Sequence, residues 1–332
     1  MKVKVVCLRP KHDFDRAEVA IPESFDIRFF PKFEEQAVFK EIIDADFILT
    51  PSHSAPITAQ LMAQAKSLKL IQLCGAGYDN VYVEAASKAG IPVARSADQN
   101  SKAVAQLAFT FMTILSRGLL EADREIKKGN YQAVREKLRR DVAYELEGRN
   151  LCILGIGPIG KEVAKIGAFF GAKLYYYDII HLSPEDEQEM KLTFLDFADI
   201  LKQADILTLH VPLNIKTKNM IGRQELALMK DSALLINTSR GGVLDNEALI
   251  EALTMNRLGG AALDAFDPEP MPSDHPFLQL DPELQKKLIL TPHMGGVTKQ
   301  SQKRMLELAI NNILSVMRGE APQYIVNWAQ VQ

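Results

Sequence analysis

Short apolar, β-branched runs recur along the chain, separated by longer stretches with helical spacing. The first runs are Val3–Leu8, Phe47–Thr50, Leu70–Leu73 and Pro92–Ala94. A helical stretch follows from Ser101 to about Gly118, and then a charged, mostly helical segment from Leu119 to Leu146. A second set opens at Leu151–Leu154 and continues at Lys173–Tyr177, Ile206–Leu209, Leu234–Asn237, Gly260–Leu263 and Leu288–Leu290. A last helix covers about Val297 to Met317. Strands alternating with helices predict parallel α/β sheets. Only the second set opens with a glycine-rich turn. Residues 101–296 are therefore read as one domain inserted into another, which is built from residues 1–100 and 297–332. Within the inserted domain, residues 118–148 are read as a protruding arm.

The glycine-rich turn is Gly155-Ile-Gly157-Pro158-Ile159-Gly160, set between an apolar strand and a helical pattern. In that context a first glycine allows the tight turn and a second lets a pyrophosphate approach the backbone. A third lets strand and helix pack closely, with the phosphates at the helix N-terminus. The next strand ends at Asp178, 18 positions after Gly160. A carboxylate at about that distance accepts hydrogen bonds from the adenosine ribose hydroxyls. It also selects NAD(H) over NADP(H), since a 2′-phosphate would face a negative charge, and Ile179, Ile180 and His181 supply no arginine to reverse this. His210-Val211-Pro212 follows the strand Ile206–Leu209 and is placed beside the nicotinamide.

Three later segments each follow a strand end, where open α/β sheets bind ligands. The first is Asn237-Thr238-Ser239-Arg240-Gly-Gly, whose guanidinium can grip a carboxylate through two parallel hydrogen bonds. The second is Asp264-Ala-Phe-Asp-Pro-Glu269-Pro270, and the third is Thr291-Pro-His293-Met-Gly-Gly296. An imidazole with a carboxylate partner suits a general acid that protonates a carbonyl oxygen as hydride arrives at carbon.

Bulk properties narrow the classes. A chain of 332 residues suggests two domains. A net charge of −3 argues against a nucleic-acid partner or a polybasic membrane anchor. The longest uncharged run, Ala103 to Ser116, is shorter than a membrane span. Cys7, Cys74 and Cys152 show no metal-ligand spacing and fit a reducing compartment. No metal and a cytoplasmic location are expected.

Taken as an ordered set, NTSRGG, DAFDPEP and TPHMGG resemble the D-isomer-specific 2-hydroxyacid dehydrogenases, over roughly Leu68 to Val326. The resemblance implies a Rossmann-type NAD-binding domain inserted into a flavodoxin-like α/β substrate-binding domain. It implies interconversion of a small 2-keto acid and a D-2-hydroxy acid. His293 would be the acid/base, Glu269 its orienting partner, and Arg240 the anchor for the substrate carboxylate and carbonyl. Thr238 and Asp264 would lie near the carboxamide end of the cofactor, with Val211, Pro212, Ser239 and Gly296 in the same cofactor set. The loop from Cys74 to Asn80 resembles one whose backbone amides hold the substrate carboxylate, here Gly75, Ala76 and Gly77. The arm implies a homodimer. Gln106 departs from the usual Glu, and Glu269 in place of Gln argues against a formate dehydrogenase. No C-terminal regulatory domain is expected, and His275 is read as structural. An L-specific enzyme conflicts with the order of the motifs. The alternative reading is an NAD-sensing, co-repressor-like binding protein without turnover. The choice of 2-keto acid stays open, with Ser52, His53, Tyr78 and Met294 as residues shaping its site.

Overall fold

Two sets of largely apolar strands build two parallel sheets. The computed structural model describes residues 2–52, 56–141 and 143–328. His53 lies outside the described residues. The chain divides into two compact units, Met1–Asn100 with Gly296–Gln332, and Ser101–Gly295.

The first unit carries β1 (Val3–Cys7), β2 (Phe25–Phe29), β3 (Phe47–Pro51), β4 (Leu70–Cys74) and β5 (Val93–Arg95). Their order is β2-β1-β3-β4-β5, all parallel, which is the flavodoxin-like order. Successive side chains leave a strand on opposite faces, so both faces are apolar. Val6, Ile48, Ile71 and Val93 join one core. Val5, Cys7, Leu49 and Leu70 join the other, with Leu306, Ala309, Ile310 and Ile313 of the helix Lys299–Met317. That helix begins two residues later than the apolar pattern predicts, because Thr298 caps it by accepting from the Ser301 amide. Gln72, fully buried on the helix-covered face of β4, accepts from Asn312 Nδ2 at 2.8 Å. Asn312 Oδ1 in turn accepts from the Gln323 amide.

The second unit carries β6 (Asn150–Leu154), β7 (Lys173–Tyr177), β8 (Leu192–Phe194), β9 (Ile206–Leu209), β10 (Leu234–Asn237), β11 (Gly260–Leu263) and β12 (Leu288–Leu290). The order β12-β11-β10-β9-β6-β7-β8 is all parallel and turns back between β9 and β6, the switch point of a doubly wound sheet. The helix Ser101–Arg117 lays Ala105, Ala108, Phe111 and Met112 into a core with Leu151, Ile153, Val163 and Ala164. Among the described residues no single helix is long and apolar enough to cross a membrane. The arm is two helices, Leu119–Lys127 and Tyr131–Asp141, broken at Gly129, whose φ is +85°. All three cysteines are buried and free.

Candidate functional site

Strand pairing in the second unit sets up one line of residues. Tyr177, Leu154, Leu209, Asn237, Leu263 and Leu290 are register partners across the sheet. The residue after each, Asp178, Gly155, His210, Thr238, Asp264 and Thr291, therefore stands in a row along the carboxyl edge. The nucleotide turn and the three later segments are neighbours by sheet register.

At the nucleotide turn each glycine meets a different need. Gly155 has a φ of +93°, and a Cβ there would lie 2.7 Å from the His210 carbonyl oxygen. A Cβ on Gly160 would lie 2.2 Å from the Gly155 carbonyl oxygen, closer than atoms approach, so the helix Pro158–Phe169 packs directly on the turn. A Cβ on Gly157 would meet nothing within 4 Å. Neither strain nor packing requires a glycine there, and open space beside a helix N-terminus is what a pyrophosphate needs. Asp178 Oδ2 accepts from the Ile156 amide at 2.8 Å, and its Oδ1 accepts from the Ile180 amide. The carboxylate is thus fixed against the glycine turn. Ile179 and Ile180, 86% and 74% exposed, follow it as an apolar shelf suited to a flat base. The sequence reading used these two only as the absence of arginine. Their exposure is a tertiary property with no signature in the residue types.

The loop after β9 seats Val211 against the same turn. His210 is half-buried and its Nε2 pairs with Thr208 Oγ1 at 2.9 Å. Its Nδ1 is buried with no hydrogen-bond partner among the described residues, and burial pushes the imidazole down to about 3. An unfolded chain would bind this proton near pH 6.5, so the unfolded state holds more protons between about pH 6.5 and pH 3. Stability present above pH 6.5 is therefore lost as pH falls through that window, at up to about 1.4 kcal/mol per pH unit. Urea unfolding at pH 7, 6 and 5 should show a steeper loss in the wild type than in His210→Gln. Equal slopes would remove His210 from the acid sensitivity.

After β10, Asn237 organises the turn. Its Oδ1 accepts from the Ser239 amide and hydroxyl, and its Nδ2 donates to the Arg240 carbonyl at 2.9 Å. Thr238 Oγ1 is buried and has no partner among the described residues, as expected of a group kept for a ligand. Arg240 Nη1 donates to the Ser239 carbonyl. A Cβ on Gly241 would lie 2.0 Å from the Phe266 carbonyl carbon. The two motifs thus meet backbone to backbone, and this contact needs glycine after the arginine.

Glu269 Oε1 and His293 Nδ1 are 2.7 Å apart, with both side chains partly exposed. His293 has a φ of +52°, a conformation that non-glycine residues rarely adopt. Asp264, 2% exposed, holds the segment in that shape. Its Oδ1 accepts from Thr291 Oγ1 at 2.6 Å and from the Met294 amide at 2.8 Å, and its Oδ2 accepts from the Gly295 amide at 2.8 Å. The sequence reading placed Asp264 toward the cofactor and did not foresee this grip on the histidine loop. His275 is buried, and its Nδ1 accepts from the Phe277 amide as a helix cap. Among the described residues no group of three or more His, Cys, Asp or Glu is placed to hold a metal.

The residues assigned to the substrate loop lie in the first unit. Gly75, Ala76 and Gly77 follow β4, and a Cβ on Gly75 would overlap Ser52 Oγ. Gly296 belongs to this unit as well, lying against Asn100, with its carbonyl accepting from Gln302 Nε2. Tyr78 is 40% exposed; Met294, in the second unit, is 45% exposed.

Over residues 109–295 the chain matches the family model described as D-isomer specific 2-hydroxyacid dehydrogenase, NAD binding domain. It is 36% identical over 299 residues to the glyoxylate reductase of Thermococcus litoralis, covering 90% of this chain and 88% of that one. It is 34% identical over 330 residues to the D-3-phosphoglycerate dehydrogenase of Methanocaldococcus jannaschii, covering 99% of this chain but only 60% of that protein's length. The crystal structure of D-lactate dehydrogenase from Aquifex aeolicus, complexed with NAD and lactic acid, superposes with a TM-score of 0.85 at 26% identity. That match covers 98% of this chain and 99% of that one.

Proposed function

This chain belongs to the D-isomer-specific 2-hydroxyacid dehydrogenase family, whose members are NAD-dependent oxidoreductases, and we propose that it reduces a small 2-keto acid to the D-2-hydroxy acid. The observation that carries this reading is the 2.7 Å Glu269–His293 pair, on the sheet edge that also bears the glycine turn. NADH, when bound, supplies the hydride. Gly155, Gly157 and Gly160 with Pro158 and Ile159 cradle its pyrophosphate, and Asp178 receives the adenosine ribose. The buried Thr238 hydroxyl and the loops at Val211, Pro212, Ser239 and Asp264 line its nicotinamide end, and Gly296 completes the cofactor set. Arg240 grips the substrate carboxylate and carbonyl. Glu269 fixes the imidazole ring, and His293 delivers a proton to the carbonyl oxygen as C2 is reduced. The amides of Gly75, Ala76 and Gly77 take the substrate carboxylate.

The arm presents Leu119, Leu120 and Tyr131 about half exposed, which supports a homodimer built on this segment. Three free, buried thiols fit the cytoplasm.

The deciding experiment follows NADH and NADPH oxidation with glyoxylate, hydroxypyruvate, pyruvate and 3-phosphohydroxypyruvate, and fixes the configuration of each chiral product. Turnover with NADH at least tenfold above NADPH, giving D-hydroxy acids, is expected from the placement of Asp178. Tight NADH binding with no turnover would favour a non-catalytic, NAD-sensing role. An L-product would overturn the assignment.

A further inference from the structure

The loop after β4 can offer a carboxylate two backbone N–H groups only if something holds its peptides in one orientation. In a trans peptide the carbonyl and the following N–H point in opposite directions. Tying a carbonyl to the protein therefore turns the next N–H away from that tie. Both carbonyls in question are tied, and both ties come from the end of β5. The Ser96 amide donates to the Gly75 carbonyl at 3.0 Å. The Arg95 guanidinium donates through Nη1 to the Ala76 carbonyl at 2.8 Å. Neither the Ala76 nor the Gly77 N–H donates to a backbone carbonyl among the described residues.

The base of this device is rigid. Arg95 pairs with Leu73 of β4, and its own amide donates to the Tyr324 carbonyl. Ser96 is fully buried, and its hydroxyl donates to the Met305 carbonyl. The Arg95 guanidinium carbon also lies 5.5 Å from the centre of the Tyr78 ring, so the far side of the loop is held by the same side chain.

We propose that Arg95 is a positioning residue for substrate binding. It pins the Ala76 carbonyl so that the Gly77 N–H is presented to the substrate carboxylate. Its charge polarises that peptide, which makes the N–H a stronger donor. A neutral side chain of similar size fills the space but does neither. This inference rests on the reading that the 75–77 amides bind the carboxylate.

The test compares the full-length wild type with Arg95→Met and Arg95→Lys. For each, KM and kcat with glyoxylate, the NADH dissociation constant and the melting temperature are measured. Amide resonances of Ala76 and Gly77 are followed during titration with oxamate at saturating NADH. Arg95→Met is expected to raise KM about tenfold with kcat within twofold, because an interaction made equally in ground and transition states is lost. NADH affinity and melting temperature should hold. Arg95→Lys, which can still donate to the carbonyl, should return KM to within about threefold. If oxamate leaves both amide resonances unmoved in the wild type, the loop does not bind the carboxylate and the inference falls with that reading. If it moves them in the wild type and Arg95→Met keeps both the shifts and the KM, the loop reading stands and the role of Arg95 is wrong. Parallel loss of kcat, NADH affinity and melting temperature in both variants would make Arg95 a general fold support and equally overturn the proposal.

Discussion

Replacing His293 by Ala is expected to lower kcat for 2-keto-acid reduction about a thousandfold while leaving NADH affinity within twofold. The size follows from what the side chain is placed to do. Its Nδ1 is engaged by Glu269 at 2.7 Å, which fixes the ring, and proton transfer falls to Nε2. Without that proton, the proposed mechanism leaves the charge that develops on the carbonyl oxygen to Arg240. Cofactor affinity should survive because Gly155, Gly157, Gly160 and Asp178 follow β6 and β7, away from the β12 loop. Single-turnover reduction followed at the NADH absorbance band, with a fluorescence titration of NADH binding, separates the two effects. A loss below tenfold would take the acid role away from His293.

Asp264→Ala should lower kcat about a hundredfold and also destabilise the fold, since three donors lose their acceptor, the buried Gly295 amide at about 1–3 kcal/mol and the part-buried Thr291 hydroxyl and Met294 amide at less. The catalytic loss has a separate origin. His293 sits at a φ of +52°, a conformation that local preference alone does not hold. Asp264 holds it by taking Thr291 on one side and Met294 and Gly295 on the other. With those ties gone the imidazole is expected to leave its line with Glu269. Asp264→Asn should fall between, because its amide oxygen can replace one carboxylate oxygen while its NH2 group faces another donor. Steady-state rates and thermal melting on both variants decide the matter. A stability loss with wild-type kcat would show that the loop keeps its shape without Asp264.

Most strands were legible because each is a short, mostly apolar, buried run. Ile206–Leu209, Leu234–Asn237, Gly260–Leu263 and Leu288–Leu290 fall at the residues the pattern predicts. The pattern missed β2 and β8, which lie at sheet edges. β2 carries Asp26 and Arg28 among its apolar residues, and β8 is three residues long. Edge strands face water on one side and have less need to be apolar. The arm read as one helical segment because charge periodicity runs through Gly129 and Asn130, where the backbone nonetheless turns.

At the site, residue types were legible and their reasons were not. Gly241 entered only as a glycine beside Arg240, whereas it is required by the approach of Phe266 from another loop. Arg95 drew no notice, because an arginine at a strand end has no local pattern that ties it to a carbonyl 19 positions earlier. Such contacts exist only once the strands are in register.

The interrupted course of the first unit has a consequence for how the protein is made. The core on one face of its sheet is completed by Leu306, Ala309, Ile310 and Ile313, and Gln72 waits for Asn312, 240 positions later. During synthesis, residues 1–100 leave the ribosome with one sheet face uncovered, while Ser101–Gly295 is contiguous and holds its own cores. The inserted unit can therefore finish first, and the outer unit closes only when its last helix arrives. Contacts of such long sequence separation are slow to form, so the apolar face of the first sheet is the surface a chaperone would meet on the nascent chain.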